Sequence, residues 1–222
     1  MKTCALHITG ISGSSFVALY MAAMLLLIGV TDVMAVEEAE YELIKQDGRF
    51  EVRDYAPQIL AEIVIEENFE DAGDKAFNSL FRYIAGDNKS RTKVPMTAPV
   101  SQESRNEKIE MTAPVGQQRA EKGWAVSFMM PATYTLETLP LPDDPSIKLR
   151  QVPARRMAAV TYSGFWSEKS YLKNRADLEA WIEANGYNIG GIPVWARYNP
   201  PFMPWFLRRN EILIPIDYDS PD

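Results

Sequence analysis

Residues 94–115 read VPMTAPVSQESRNEKIEMTAPV, so the tetrapeptide MTAP occurs twice, beginning at Met96 and at Met111. The polar stretch SQESRNEK separates the two copies. Successive side chains of a strand point to opposite faces, which places both methionines with the apolar residues and both threonines with the polar ones. Proline cannot donate to a strand ladder, so Pro99 and Pro114 mark strand ends, edges or bulges. We therefore predict a β-hairpin whose two arms each direct a methionine inward.

Two interpretations of Met96 and Met111 follow from their chemistry. Methionine adapts to irregular space and fills gaps in a core. Alternatively, the two thioethers line a cavity for a flat, apolar ligand, and a thioether sulfur can also coordinate iron. Composition alone does not choose between packing and binding.

The segments before the hairpin predict a mostly antiparallel fold. Residues 41–55 read as two short strands around a Gln-Asp-Gly turn, and residues 58–66 as a longer β-branched strand. A helix follows, because apolar side chains recur at helical spacing through residues 77–84. Asn68 is suited to cap its N-terminus, and Gly86 is suited to end it.

The second half of the chain echoes the first. After the proline-rich turn LPLPDDP, residues 146–217 contain two strands, a helix at about 170–186 and two further strands. The apolar face of this helix is predicted to include Leu172 and Trp181. The order strand, helix, strand, strand thus occurs twice, the first time within about 41–138. We predict an α+β fold: a distorted antiparallel β-barrel with two flanking helices, built from a duplicated unit.

The bulk composition is that of a globular protein without a basic face. The chain has 222 residues, of which 46% are hydrophobic and 24% are charged, and its net charge is −7. This length allows one sizeable core, or at most two small ones. Nucleic acid requires a basic surface, so we expect no nucleic-acid partner.

The N-terminal residues have the features of a signal peptide. Lys2 precedes the apolar run FVALYMAAMLLLIGV, and Val33 and Ala35 occupy the small-residue positions of a cleavage site. A membrane span needs about 20 apolar residues, which is more than this run supplies. We predict cleavage near Ala35, so that residues 1–35 are removed and residues 36–222 form a periplasmic or secreted domain. The alternative is an uncleaved N-terminal membrane anchor.

Such cleavage would remove Cys4 and His7 and leave a mature chain without cysteine or histidine. That composition excludes disulfides, zinc sites of the Cys/His kind, and Ser-His-Asp or Cys-His catalysis. Neither a phosphate-binding loop nor a dinucleotide fingerprint occurs in the sequence. Because no pair of carboxylates falls in an apolar motif, we predict that the protein is not an enzyme.

Three stretches resemble the SOUL/haem-binding protein family: KVPMTAPV, VSFMMPATYTLETLPLPDDPSIKLRQVPARRMAAVTYSG and RYNPPFMPWFLRRNEILIPI. The opening YELIKQDGRFEVRDY also matches the family, so the resemblance covers residues 41 to about 216. It implies a distorted barrel with two flanking helices, non-covalent binding of haem or another tetrapyrrole, and no known catalysis for most members. We therefore expect an exported protein that reversibly binds a planar apolar ligand, with weak or no axial ligation.

The resemblance also implies where the ligand lies, in a cleft over the first helix and the loop before the last strand. By position, two apolar residues of that helix fall on Phe77 and Phe81, and a basic residue that could meet a propionate falls on Arg82. Asp74 stands in place of a second basic residue, and Met203 in place of a lysine of the late loop. The histidine proposed as an axial ligand in some members has no counterpart in the mature chain.

Each of these helix residues also has an ordinary explanation. The first helix must bury one face, and Phe77 and Phe81 are suitable core residues for it. Arg82 is equally suited to a solvated helix surface.

The segment FMPWF, from Phe202 to Phe206, is the other candidate contact. An exposed apolar loop of this kind indicates a ligand-facing or membrane-facing surface, and its alternative is a lid packed over the end of the barrel. Arg208 and Arg209 could meet a propionate or a lipid phosphate, or they could pair with Glu211 or other neighbouring acids. The predicted cofactor-binding residues are therefore Phe77, Phe81, Arg82, Met96, Met111, Phe202, Met203 and Arg208.

A second hypothesis keeps the fold and changes the function. In this hypothesis the chain is a protein-interaction or membrane-surface module that has lost haem binding. The missing histidine and Asp74 favour this hypothesis. The retained apolar helix face and the aromatic loop favour the binding of a tetrapyrrole.

Overall fold

The computed structural model describes residues 36–91 and 106–218. Met96 and the first arm of the predicted hairpin lie outside the described residues. The helices are α1 (Phe69–Ala85) and α2 (Glu168–Ala184), with a short 3-10 helix at Trp205–Leu207. The strands are β1 (Glu37–Glu38), β2 (Tyr41–Asp47), β3 (Phe50–Tyr55), β4 (Gln58–Ile65), β5 (Asn88–Lys89), β6 (Thr112–Ala113), β7 (Val115–Arg119), β8 (Trp124–Met129), β9 (Leu141–Pro142), β10 (Lys148–Val152), β11 (Arg155–Tyr162), β12 (Tyr187–Ile189), β13 (Val194–Arg197) and β14 (Asn210–Tyr218).

The first helix begins and ends where its sequence predicts. The side chain of Asn68 accepts a hydrogen bond from the backbone N–H of Asp71 (2.9 Å), which satisfies one of the free donors of the first turn. Gly86 follows the helix with a φ of 129° and donates its N–H back to the last turn. Both predicted caps of α1 are confirmed.

The second helix begins slightly earlier than predicted. Ser167 caps it by accepting from the N–H of Ser170 (3.3 Å), so the first helical residue is Glu168. Trp181 is buried as expected, but Leu172 is 49% exposed, and its predicted place in the core is wrong. Tyr171 is the buried residue of that turn, because its side chain and not that of Leu172 lies on the side of α2 that faces the sheet.

One large antiparallel sheet organises the described residues. Its strand order is β10-β4-β8-β7-β13-β14-β11-β3-β2, and β12 also pairs with β14. Two helices on a large, mostly antiparallel sheet confirm the α+β class. Among residues 36–91 and 106–218 no pairing joins β2 to β10, so the closed barrel of the prediction is not found there. The edge strand β2 is exposed along its whole length.

The two halves of the chain exchange strands within this sheet. β3, from the first half, pairs with β11 of the second half, and β10, from the second half, pairs with β4 of the first. When the short strands β5, β6 and β12 are left aside, strand, helix, strand, strand is the order of β4, α1, β7 and β8, and again of β11, α2, β13 and β14. The duplication of the sequence itself stays a prediction.

The second arm of the predicted hairpin does not alternate as expected. Met111 is 40% exposed, whereas Thr112 is buried and donates its hydroxyl to the carbonyl oxygen of Met129. Residues 106–111 form no strand, and the N–H of Ile109 instead donates to a carbonyl in the last turn of α1 (2.8 Å). Without strand geometry the period of two does not apply, and the predicted inward orientation of Met111 is wrong.

The two helices lie on the same face of the sheet. α1 packs on β4 and β8, and α2 packs on β11, β12 and β14. In the strand order, β7 and β13 therefore lie between the strands under α1 and the strands under α2. We call the helix-facing side of β7 and β13 the inter-helix floor. The opposite face of the sheet holds a smaller apolar cluster that includes Tyr55, Met157 and Leu213.

Candidate ligand-binding site

Phe77 and Phe81 form an aromatic pair at the edge of the buried face of α1. Their ring centroids are 5.9 Å apart and their planes differ by 10°. Phe77 is half-buried and meets Phe128 of β8 edge-to-face at 5.4 Å. Phe81 is 46% exposed. The pair therefore offers a flat aromatic surface to solvent, and the core holds it in place through Phe77.

Arg82 is directed away from this pair. Adjacent residues of an α-helix are separated by about 100° around its axis, so Arg82 lies well to the side of Phe81. Its Nε donates to the carboxylate of Asp87 (2.7 Å). It lines a pocket of about 390 Å³ together with Asp87, Asp143 and Asp144. These acids make that pocket unfavourable for a propionate, and the structure does not bring Arg82 together with Phe77 and Phe81.

The loop between β13 and β14 carries several exposed aromatic side chains, and we call residues 199–209 the late loop. Phe202 is 85% exposed, Phe206 is also exposed, and Trp205 stacks on Phe165 with centroids 5.2 Å apart. Met203 is half-buried. The alternative prediction of a packed lid is therefore wrong for Phe202 and Phe206.

Arg208 holds the late loop in its conformation. Its Nε donates to the carbonyl of Met203 (2.8 Å), and its Nη2 donates to the carbonyl of Pro201 (2.6 Å). Its guanidinium lies over the ring of Trp166, 4.4 Å from the centroid. The predicted pairing with Glu211 is confirmed for Arg209 (3.0 Å) but not for Arg208, which donates to carbonyls of the late loop instead.

Arg197, on the inter-helix floor, is a residue that the sequence reasoning missed. Only 8% of it is exposed, and the one hydrogen bond of its guanidinium within the described chain is a long contact of 3.5 Å from Nη2 to Gln117. Its Nε is buried without a partner among the described residues. Burial lowers the pKa of Arg197 to about 10, and the negative charge of Asp74 only partly offsets this effect.

The surroundings of Arg197 explain how a guanidinium fits between a helix and a sheet. α1 passes directly over it at Gly73, where an added Cβ would lie 2.9 Å from both terminal nitrogens. Its guanidinium carbon is 4.8 Å from the ring centroid of Trp195 and 5.2 Å from that of Trp166. Glycine inside a helix costs about 1 kcal/mol relative to alanine. This cost is understandable where the helix must approach a buried side chain so closely.

Two further buried polar atoms, Tyr162 Oη and Trp195 Nε1, lie on the same face of the sheet and make no hydrogen bond to a third described residue. They interact with each other, and this interaction lowers the pKa of Tyr162 against the larger opposing effect of burial. Tyr162 and Arg197 are both registered to Asn210 of β14, on either side of it. Buried polar groups are normally paired, so the unpaired Nε of Arg197 indicates a place where a ligand or water completes the bonding.

The opposite face of the sheet carries a second buried arginine, and that one is fully paired. Arg53 donates through Nη1 and Nη2 to the two carboxylate oxygens of Glu211 (2.7 and 3.1 Å) and through Nε to Glu51 (2.7 Å). Tyr198 donates to Glu211 at 2.8 Å, and Arg209 also pairs with this carboxylate. Burial alone would raise the pKa of Glu211, but Arg53 and Arg209 outweigh burial and lower it.

The described residues fit the ring of a tetrapyrrole better than its metal. The Phe77–Phe81 pair supplies a flat apolar surface, and Arg197 supplies a buried, unpaired donor beneath Gly73, which precedes Phe77 by about one helical turn. Residues 36–91 and 106–218 contain no histidine and no group of three or more His, Cys, Asp or Glu that could hold a metal ion. In the same part of the chain, none of the helices has both the length and the apolar character required to cross a bilayer.

A signal for Arg197 was present in the sequence. In VWAR, the residues of β13, the period of two places Arg197 on the same side as Trp195, which is an apolar side. An arginine at such a position is either paired or functional. The sequence alone cannot tell which, because the partner would come from a distant element.

Comparison with known proteins identifies the family to which the sequence is similar. The sequence profile described as SOUL heme-binding protein matches residues 36–107 and 101–215. No significantly similar sequence is found among curated proteins.

Several solved structures share the fold at low sequence identity. A hydrolase from Listeria innocua has a TM-score of 0.54 and 12% identity, covering 78% of this chain and 94% of that one. An uncharacterized conserved protein from Listeria innocua has a TM-score of 0.51 and 11% identity, covering 76% and 92%. EcmrR, in a cryo-EM structure of its DNA complex, has a TM-score of 0.53 and 14% identity, covering 92% of this chain and 65% of EcmrR. At these identities the likeness concerns the fold alone.

Proposed function

Because the chain belongs to the SOUL haem-binding protein family, we propose that it is an exported protein that binds haem or another tetrapyrrole reversibly and non-covalently. The ring lies against the exposed aromatic surface of α1, and its binding depends mainly on apolar burial. Axial ligation is weak or absent. The function is binding and not catalysis.

The observation that carries this proposal is the near-parallel stack of Phe77 and Phe81. An exposed phenylalanine on a helix is ordinary, but two stacked rings with one fixed by the core form a preorganised surface for a flat ligand. Aromatic rings contribute large apolar area and favour offset stacking with other planar groups. Preorganisation lowers the entropy cost of binding, so this surface supports affinity without any new bond to iron.

The direct test is a titration of the purified protein with haemin and, in parallel, with protoporphyrin IX, followed by Soret absorbance. The proposal predicts saturable one-to-one binding of both with similar affinity, because the protein contacts the ring and not the iron. Phe81→Asp should abolish binding of both. Leu172→Asp is the matched control, since Leu172 is a similarly exposed apolar residue on α2. No saturable binding by the unmodified protein, or equal loss in both variants, would contradict the proposal.

A second candidate function rests on the late loop. Phe202, Phe206 and Leu207 are exposed next to the stacked pair of Phe165 and Trp205. Aromatic and apolar side chains at a protein surface partition into the interface of a bilayer. This supports peripheral membrane contact, either beside tetrapyrrole binding or in its place. A protein partner for the same surface is the remaining alternative.

Vesicle sedimentation tests this second candidate. The unmodified protein should sediment with phosphatidylcholine vesicles, and the double variant Phe202→Ser, Phe206→Ser should remain in the supernatant. Leu172→Asp again serves as the control for a change of exposed apolar surface. Equal sedimentation of all three proteins would exclude the late loop as the contact.

Export is the part of the proposal that rests on residues 1–35. Expression of residues 1–222, followed by N-terminal sequencing of the recovered protein, tests it. Cleavage after Ala35 gives a chain that begins with Val36. An intact Met1 on a membrane-associated protein would support the anchored alternative.

A further inference from the structure

The buried guanidinium of Arg197 needs an explanation that the fold does not supply. Moving a charged group out of water costs free energy unless the group is paired. Removing one partner of a buried ion pair destabilises a protein for the same reason, because the other charge is left buried and unpaired. The other fully buried arginine of the described sheet, Arg53, satisfies this rule with carboxylates on two sides. Arg197 has no ion pair within the described residues, and its contact with Gln117 is at the limit of a hydrogen bond.

The neighbours of Arg197 hold its position while leaving its donors available. The guanidinium is planar, stacks on aromatic faces and directs its N–H donors outward in its own plane. Trp166 and Trp195 supply such faces. Cation–π contacts hold a guanidinium but satisfy none of its in-plane donors. Arg197 is therefore fixed and desolvated, with free donors, which is the state that strengthens a charge-assisted hydrogen bond to an anion.

Arg197 also lies in line with the aromatic pair of α1. Residues four apart on a helix share a face, so Gly73, Phe77 and Phe81 follow one another along the same side of α1. With a rise of about 1.5 Å per residue, Gly73 is about 6 Å along the axis from Phe77 and about 12 Å from Phe81. Since Arg197 lies directly beneath Gly73, the site has an apolar aromatic part and, one turn away, a cationic end.

We propose that Arg197 is the anchor for a carboxylate of the ligand, so that the site selects a planar apolar molecule with an acidic side chain at its edge. This inference rests on the proposed function, because the ring is assigned to Phe77 and Phe81. It gives the ionic role to a residue of the inter-helix floor and not to Arg82 or Arg208, both of which already have partners.

Asp74 should affect the binding of an acidic ligand in the direction opposite to Arg197. It is exposed on α1 beside Gly73, and its negative charge acts on Arg197 without a hydrogen bond between them in the described chain. A ligand carboxylate that approaches Arg197 is repelled by Asp74. Neutralising Asp74 should therefore strengthen binding of an acidic ligand, whereas removing Arg197 should weaken it.

The test compares protoporphyrin IX with its dimethyl ester, which has the same ring and no free carboxylate. We expect the unmodified protein to bind the diacid about ten- to a hundredfold more tightly than the ester, the range for a hydrogen bond to a charged group. Arg197→Met should reduce the affinity for the diacid to that for the ester and leave the ester unchanged. Asp74→Asn should increase the affinity for the diacid only.

Two further variants protect the test against a structural explanation. Arg197→Lys retains the charge in a smaller group and should keep part of the preference for the diacid. Arg156→Met, which breaks a half-exposed ion pair with Asp54, controls for loss of an arginine as such. Circular dichroism and urea unfolding establish that each variant is folded.

The outcomes separate this inference from the proposed function. If the unmodified protein and Arg197→Met bind diacid and ester with one common affinity, the anchor is overturned and tetrapyrrole binding stands. If neither porphyrin binds, the proposed function fails, and sodium benzoate then serves as a small carboxylate probe in a thermal-shift assay. Stabilisation of the unmodified protein but not of Arg197→Met supports a carboxylate site for another ligand, and no stabilisation overturns the anchor as well.

Discussion

Arg53 and Arg197 are both buried in the same sheet, on opposite faces, and they differ in almost every interaction. Arg53 is 2% exposed and gives hydrogen bonds to Glu211, Glu51 and Tyr55. Arg197 has two tryptophan rings and one long contact. The first arginine is neutralised within the fold, and the second retains its charge and its donors. The difference separates a residue that stabilises the structure from one that is held ready for a ligand.

The largest expected effect is that of Arg53→Met. The substitution leaves Glu211 buried without its main partner, and breaking a buried pair from one side costs about 3–5 kcal/mol. Urea unfolding followed by tryptophan fluorescence measures the loss. Arg156→Met, at a half-exposed ion pair, should cost at most about 1 kcal/mol. If the two substitutions had equal cost, the buried network would not be the structural element that we describe.

The free energy of unfolding, measured as the pH is lowered, should report the contribution of the Glu211 carboxylate to the same buried network. The pKa of Glu211 is lowered in the folded protein, so its contribution is complete above the ordinary pKa of glutamate and is lost as the pH falls through the lower folded value. We expect the contribution of Glu211 to this loss to be smaller than the effect of Arg53→Met. Other carboxylates are protonated over the same pH range and also contribute to the measured loss. Glu211→Gln should flatten this acid limb. An unchanged slope in that variant would assign the acid sensitivity to other groups.

The matched substitution Arg197→Met should change stability by less than about 1 kcal/mol. Removal of an unpaired buried charge relieves its desolvation cost, and removal of the two cation–π contacts loses their attraction, so the two effects oppose each other. The same urea experiment checks it. A loss comparable to that of Arg53→Met would show that Arg197 is a structural residue, and the contrast between the two arginines would disappear.

The smallest expected effect comes from Gly73→Ala, measured in the unmodified protein and in the Arg197→Met variant. Alanine favours the helix by about 1 kcal/mol, but its Cβ would displace the guanidinium beneath it. In the variant the guanidinium is replaced by a flexible apolar side chain, and only Oε1 of Gln117, 3.1 Å from the added Cβ, still crowds it, so we expect the substitution to be more favourable there by about 0.5–1 kcal/mol. A double-mutant cycle that closes without an interaction energy would mean that Gly73 serves another purpose.

Local patterns were enough to predict most elements of the fold. The caps at Asn68 and Gly86 depend on the chemistry of single residues, and they lie where predicted. The orientation of Met111 was mispredicted, since the period of two holds only where a partner strand imposes it, and the partner of this segment is the end of α1. A partner that is distant in sequence cannot be read from a local pattern.

The candidate site shows the same limit. Phe77 and Phe81 were identified through helical spacing and family position, and the structure stacks them with one ring exposed. Arg82 and Arg208 are predicted from their charge. The sequence does not reveal that Arg82 already pairs with Asp87, or that Arg208 already donates to a loop carbonyl. The sequence does not single out Arg197, because the property that marks it is the lack of an ion-pair partner for its buried guanidinium in the described fold.

The position of β14 also has a consequence for the order of events during folding. This strand comes last among the described strands, yet it pairs with β11, β13 and β12 near the middle of the large sheet. The exchange of β3 and β10 between the halves adds pairings between residues far apart in sequence. Pairing between strands that are distant in sequence slows folding, because the entropy cost of closing the loop comes before the contacts that offset it. A nascent chain therefore cannot complete this sheet until β14 has been synthesised, and until then the strands that pair with β14 remain accessible to the chaperones that act on unfolded chains.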